Sequence, residues 1–268
     1  MLKFARYQRA VGGFQVLQQE ETSTFAVRME KLLERVEYRR ADTQEDREAI
    51  FRLRYEAYAR EGTIASNASG LFTDSGDDTP NAWLFGVYID GVMASSIRLH
   101  LASRPEHYLP VTESFGDIVG PRLQAGEILL DATRHCSRFE FTRAYPLLPY
   151  LTMRPGFIAE DYFGIDFITG TCRAEYQPAF RRMYGAVAWT APRPYPPLTR
   201  PHVLMGYDCK AKWRATRERY PFLRSRPEEQ VRLFGQSSNP DAAFQAELTA
   251  ARLARLPEGR QHSTTCAA

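Results

Sequence analysis

Apolar residues first recur at helical spacing at Phe25, Met29, Leu32, Leu33 and Val36, which predicts an amphipathic helix leading into a domain. Val36 to Ala41 then alternates as a strand does. Asp42 with Glu45 supplies an N-cap and capping-box partner for a helix over about Thr43 to Glu61, which Gly62 closes. Ile50, Phe51, Leu53, Ala57 and Tyr58 trace its apolar side, and Arg54 falls inside that stripe, a turn from both Ile50 and Tyr58. An inward arginine requires anions, and the Gly/Ser/Asn/Asp-rich loop from Thr63 to Ala82 offers Asp74, Asp77 and Asp78.

Strands Ala82 to Ile89 and Val92 to Leu101 flank Asp90-Gly91, a hairpin signal, whereas residues 103 to 126 are punctuated by Pro and Gly and read as irregular. Pro146 to Phe163 reads as a helix broken at Pro155-Gly156. Then come a strand (Phe167 to Thr171), a helix (Gln177 to Tyr184, ended by Gly185), a strand (Val187 to Thr190), a Pro-rich connection (Pro192 to Pro201) and a last strand (His202 to Tyr207). A helix capped by Ser225 and Glu228 is expected over Ser225 to Gly235, and a second over Pro240 to Leu256, while residues 1 to 23 and 259 to 268 read as loosely ordered. The expectation is an α/β (α+β) domain with one mixed sheet flanked by helices over 36–224, between an N-terminal arm and helix (1–35) and a helical C-terminal extension (225–268).

The stretch that changes this picture is Glu127 to Arg138, EILLDATRHCSR, where an apolar strand abruptly becomes ionisable with Asp131, Arg134, His135 and Arg138. Charge is expensive to bury unpaired, so such a change marks either the mouth of a site or a salt-bridged strand end. Alternation puts Leu129, Asp131 and Thr133 on one face and Leu130, Ala132 and Arg134 on the other; a bulge near Thr133 would re-aim one of them.

Composition narrows the chemistry. The 268 residues are 44% hydrophobic and 25% charged with a net charge of +3, so neither charge nor length points to a nucleic-acid partner. Four scattered cysteines without a CxxC pair, and five histidines without HExxH, argue against a metal or disulfide framework. The amino terminus makes a poor signal peptide and no run reaches the ~18 apolar residues of a membrane span, so a cytoplasmic protein is expected, with peripheral membrane contact left open. Lys210 to Arg226 carries seven basic residues against Glu218 alone, a solvated helix face or a dock for an acidic partner.

The run LRYEAYAREG, the loop FTDSGDD, Arg98 in SSIRLH and the D-x-x-R of LDATR resemble the autoinducer-synthase branch of the GNAT acyltransferase fold. CRAEYQPAFRRMYGAVAW and PHVLMGYD look more like its N-acyl amino acid synthases than its acyl-homoserine-lactone synthases. The resemblance covers about residues 36 to 224. It implies that Arg54 is the first-helix arginine, Tyr58 stands for an aromatic one turn later, and Asp74 and Asp77 are loop acids that pair with Arg98. Asp131 stands where the family has Glu beside the acyl-transfer point, and Arg134 is the arginine three residues on. The tryptophan that lactone synthases carry after the first helix is missing from Gly62 to Asn67.

Moving an acyl group from a thioester to an amine needs a neutral nucleophile, a proton acceptor and donors for the developing oxyanion. Asp131 is the expected acceptor, with His135 as rival, and Arg134, Arg138 or Arg173 could hold a substrate carboxylate. CoA-dependent members of the fold follow the central strand with a glycine loop that binds pyrophosphate, and Arg138 to Pro149 contains no glycine. The expected donor is therefore an acyl-phosphopantetheine thioester on acidic acyl carrier protein, with no resident cofactor or metal. Phe139, Phe141, Tyr145, Leu147, Leu148, Leu151 and Phe157 are candidates for the acyl tunnel. The alternatives are a lactone synthase using S-adenosylmethionine, a CoA-dependent N-acyltransferase, and a non-catalytic binding module on the same fold.

Overall fold

A computed structural model describes residues 25–235 and, beyond them, positions 244, 247, 248 and 250. The expected arm over 1–23 and the disordered end over 259–268 lie outside the described residues, as does most of the expected helix over 240–256. Helix α1 (25–33) buries Met29 and Leu32, and β1 (Val36–Arg40), α2 (Gln44–Arg60), β2 (Ala82–Ile89) and β3 (Val92–Ala102) come after it as the patterns predict. One correction is local: the α2 cap is Thr43, whose side chain accepts from the Asp46 amide, and not Asp42. The β2–β3 turn puts both Asp90 and Gly91 at positive φ (50° and 79°), as a two-residue hairpin that matches strand twist requires.

The region expected to be irregular contains α3 (Thr112–Gln124). Its glycines and Pro121 hide it in the sequence, and it kinks at Phe115, whose backbone leaves helical angles (φ −136°, ψ 24°), with Phe115, Val119 and Leu123 buried to hold it. Next come β4 (Leu129–Ser137), α4 (Phe139–Ala144) and α5 (Leu148–Phe163). Helix α5 runs unbroken through Pro155-Gly156. Proline there removes the amide that would bond the Leu151 carbonyl, and the buried Tyr38 hydroxyl donates to that carbonyl instead at 3.0 Å.

The rest is β5 (Phe167–Cys172), α6 (Gln177–Tyr184), β6 (Val187–Ala188), β7 (Arg193–Tyr195), β8 (Leu198–Asp208), α7 (Cys209–Arg219) and α8 (Pro227–Gln230). The Pro-rich connection thus holds a strand, β7, which pairs with an earlier-starting β8. The expected capping box at Ser225 is absent: α8 has no side-chain cap, and the Ser225 hydroxyl donates to Asp161.

The sheet order is β1-β2-β3-β4-β5-β8-β6, with β7 beside β8. All pairs are antiparallel except β4 with β5, whose crossover is made by α4 and α5. That parallel pairing is short, from Leu129–Phe167 to Ala132–Gly170, so beyond it β4 and β5 part. One face of the sheet, carrying Phe85, Leu99, Leu101 and Leu130, packs on α1 and α5. The other, carrying Leu84, Arg98, Asp131 and Leu204, faces α2, α3 and β7. Among the described residues no helix is long and apolar enough to cross a membrane.

Candidate active site

The opening between β4 and β5 is shaped by a bulge. Ser96 pairs with Cys136 and Arg98 with Thr133, so one residue of β3 opposes two of β4, Arg134 and His135. Arg134 absorbs the extra residue at φ 53°, a left-handed conformation rare for a side chain of that size. Thr133 and Arg134 therefore both face α2, and His135 is turned to the α5 side. Unbroken alternation would have given the reverse for Arg134 and His135.

On the α2 face the structure brings together Arg54, Asp74, Asp77, Arg98 and Arg134. Asp74 and Asp77 cap a short 3-10 turn, Ser75–Asp78, in a reciprocal capping box. The Arg54 guanidinium reaches Asp77 at 2.7 Å, and Arg98 bridges Asp77 (2.8 Å) and Asp74 (2.6 Å) while its Nε donates to Thr133. Arg134 Nε donates to Asp74 at 3.0 Å, and its guanidinium lies over the Phe72 and Tyr58 rings. Burial disfavours the Asp74 charge, yet Arg98 and Arg134 hold its carboxyl well below the usual range. Three guanidiniums against two carboxylates leave this buried cluster one positive charge in excess. Below it His100, pushed down to about 3 by burial and Arg98, is a neutral ring whose Nε2 donates to the Gly76 carbonyl.

A cavity of about 480 Å³ runs through the split and touches both faces of the sheet. On the α2 side it is walled by Tyr58, Thr133, Arg134, Tyr195 and His202, with Arg173 at its rim; on the α5 side by His135, Met153, Phe157, Ile168, Met205 and Tyr207. His135 is exposed and lines this space, and desolvation by the protein atoms around it pushes the imidazole below its ordinary pKa against the pull of the Pro149 carbonyl. The inner end is made of fully buried side chains, including the perpendicular rings of Phe157 and Tyr207, 5.5 Å apart. One side of this chamber suits a charged acceptor and the other an apolar chain.

A family model, the N-acyl amino acid synthase FeeM, matches residues 49–208, more than half of the chain and every residue that lines the cavity. The chain belongs to the FeeM N-acyl amino acid synthase family. FeeM itself, an N-acyl amino acid synthase from uncultured soil microbes, superposes with a TM-score of 0.57 at 15% identity, covering 68% of this chain and 94% of that one. An acyl-CoA N-acyltransferase from Pseudomonas aeruginosa gives a TM-score of 0.44 at 20% identity, over 64% of this chain and 98% of its own. The CoA-dependent acyl-homoserine lactone synthase BjaI gives 0.49 at 16% identity, over 80% and 98%. No curated protein sequence matches the chain. The fold is that of the GNAT acyltransferases, and the protein is an acyltransferase.

Within this FeeM-family domain several of the expected site residues lie off the cavity. Asp131 is fully buried and does not line the cavity: the Thr169 hydroxyl donates to one carboxylate oxygen and the Val111 amide to the other. Burial raises its pKa to about 6 against those two bonds and the charges of Arg98 and Arg134. In this structure the carboxylate braces the wall from behind and does not open onto the chamber. Arg138 and Phe139 are not part of the lining either. The Arg138 amide closes onto the Ala94 carbonyl, and α4 then turns Phe139 outward, 47% exposed beneath Arg60. Of the proposed tunnel residues only Phe157 lines the cavity; Phe141, Tyr145, Leu147, Leu148 and Leu151 pack into the core.

In the basic run Arg217 is buried against Glu160 and Asp161 and Lys212 bonds the Gly185 carbonyl, whereas Lys210 and Arg214 pair with Asp166 and Glu218 and stay exposed. The sequence pattern did not point to Tyr195 or His202. A Pro-rich stretch gives no sign that it carries a strand, and the opening of β8 gives no sign of which face it shows.

Proposed function

We propose that this chain transfers a medium or long fatty acyl group from the phosphopantetheine thioester of an acyl carrier protein to the amine of an amino acid. The observation that carries the reading is the continuous cavity through the β4–β5 split, cationic on one face of the sheet and apolar on the other. An acyl chain of the donor fits the side of Phe157, Met205 and Tyr207. An amino acid fits the side of Tyr58 and Arg134, where the excess positive charge attracts its carboxylate. Arg173, which also contacts Glu61 and Glu175, stands at the rim as a second anion partner. Beyond Ala132 the β5-facing edge of β4 has no strand partner, so its amides are available to a thioester carbonyl or to pantetheine.

The path of the chain after β4 favours the carrier-protein donor. Where a nucleotide-binding member needs a glycine loop, the backbone passes through Arg138 directly into α4, with no glycine before Gly156. Acyl carrier proteins and free thiols such as Cys136, Cys172 and Cys209 both suit the cytoplasm.

Mass spectrometry of organic extracts tests the reading, after incubation of the protein with carrier-protein thioesters, matching acyl-CoAs, a pool of amino acids and S-adenosylmethionine. An N-acyl amino acid made from the carrier-protein donor is expected. An acyl lactone, or product from CoA alone, would replace the acceptor or the donor.

A further inference from the structure

The amine that attacks a thioester must lose a proton as the C–N bond forms, so a proton acceptor has to stand where the amine stands. If the amine occupies the α2 side of the chamber, as the proposed function has it, the groups in reach there are few. Asp131 is sealed behind the wall with both oxygens bonded. The Tyr195 phenol has its pKa raised by burial and by the nearby Asp131 and is a donor at neutral pH. His135 lies across the sheet, turned there by the bulge.

His202 remains. In β8, Leu204 belongs to the α3-side cluster while Val203 and Met205 belong to the α5-side core, so alternation places His202 on the α2–α3 face with Tyr195 and Thr133. It is 8% exposed, lines the cavity, and packs on the Tyr195 ring at 5.3 Å. Its Nδ1 is 2.8 Å from the Arg200 carbonyl. A carbonyl only accepts, so this bond fixes the proton on Nδ1 and leaves the lone pair of a neutral ring on Nε2.

We propose that His202 is the catalytic base of the transfer, with Nε2 receiving the proton of the attacking amine. The amine, neutral after losing its first proton to solvent, bonds the thioester carbon and gives its next proton to Nε2; the C–S bond breaks with its electron pair on sulfur; the imidazolium then passes the proton to the thiolate or to water. The ring is neutral when the amine arrives. Burial pushes it below its ordinary pKa, the Arg200 carbonyl and Glu175 pull the other way, and Arg173 and Arg134 oppose its charging. Tyr195 on β7 is the remaining titratable neighbour, and the Arg200 carbonyl supports the imidazolium once formed.

The inference rests on the amine-acylating reading, and the test separates the two. Wild type and His202→Gln are compared for N-acyl product from the same thioester and amino acid across pH 5.5 to 9, with circular dichroism and urea unfolding as folding controls. The expected result is a loss of at least about a hundredfold in kcat with KM for the donor little changed, disappearance of the acidic limb of the pH profile, and partial rescue of His202→Ala by added imidazole. A variant within threefold of wild type and with an unaltered pH profile would overturn the assignment. So would nitrogen-15 NMR of wild-type protein showing the proton of neutral His202 on Nε2, a readout that needs neither turnover nor a variant. No N-acylated product from wild type with any donor would instead remove the functional reading, and this assignment with it.

Discussion

Asp131→Asn provides a quantitative check on how the centre of the sheet is built. In the folded protein the carboxyl ionises near pH 6, raised from 3.8 mainly by burial. Because the folded pKa is above the unfolded one, the folded state holds the proton more tightly. The contribution to stability is full below about pH 3.8 and is lost as the pH rises through about 6. The displacement is about two pH units, worth ~3 kcal/mol at roughly 1.4 kcal/mol each.

Asparagine has nothing to titrate and fits the two existing bonds. Its carbonyl oxygen can accept from the Val111 amide, and its amide can donate to the Thr169 oxygen after that hydroxyl rotates. The stability of Asp131→Asn relative to wild type is therefore expected to rise by ~3 kcal/mol between about pH 4 and pH 7. Urea unfolding of both proteins at half-unit steps measures this, and the difference cancels the other titrating groups. A difference that is flat with pH would refute the account, because it would mean that Asp131 ionises alike in both states.

Arg54→Met removes one partner of Asp77, whose side chain is 1% exposed but keeps Arg98; the expected loss is ~3 kcal/mol, the low end for a broken buried pair, with faster proteolysis within residues 63–82. An intact loop and a loss under about 1 kcal/mol would show that Arg98 alone holds it. Tyr38→Phe strands the Leu151 carbonyl opposite Pro155 and is expected to destabilise by ~1–3 kcal/mol in urea unfolding, with no change in the acyl preference. Ala186→Phe adds a ring at the buried end of the chamber, and competition between thioesters should show preference moving to shorter chains.

Much of the fold was legible because short-range physics writes it into the sequence. The hairpin at Asp90-Gly91 and the helix stop at Gly185 need particular backbone angles, and the positions of β1 and α2 come from apolar periodicity. The inward Arg54 and the loop acids that answer it were readable for a similar reason: a charge inside an apolar stripe demands a partner, and Asp74 and Asp77 lay in the next loop.

The tertiary structure alone decided those places where long-range contacts overrule local signals. Pro155 and Gly156 sit inside an unbroken helix because a tyrosine from β1 replaces the missing donor. The direction of Arg134 and His135 depends on one extra residue against β3, and a one-residue shift exchanges the two faces. Contacts from Val111 and Thr169 seal Asp131 behind the cavity wall, and period-two alternation in β8 brings His202 to its surface. Which polar groups meet a substrate was set by strand register, which no local stretch of sequence contains.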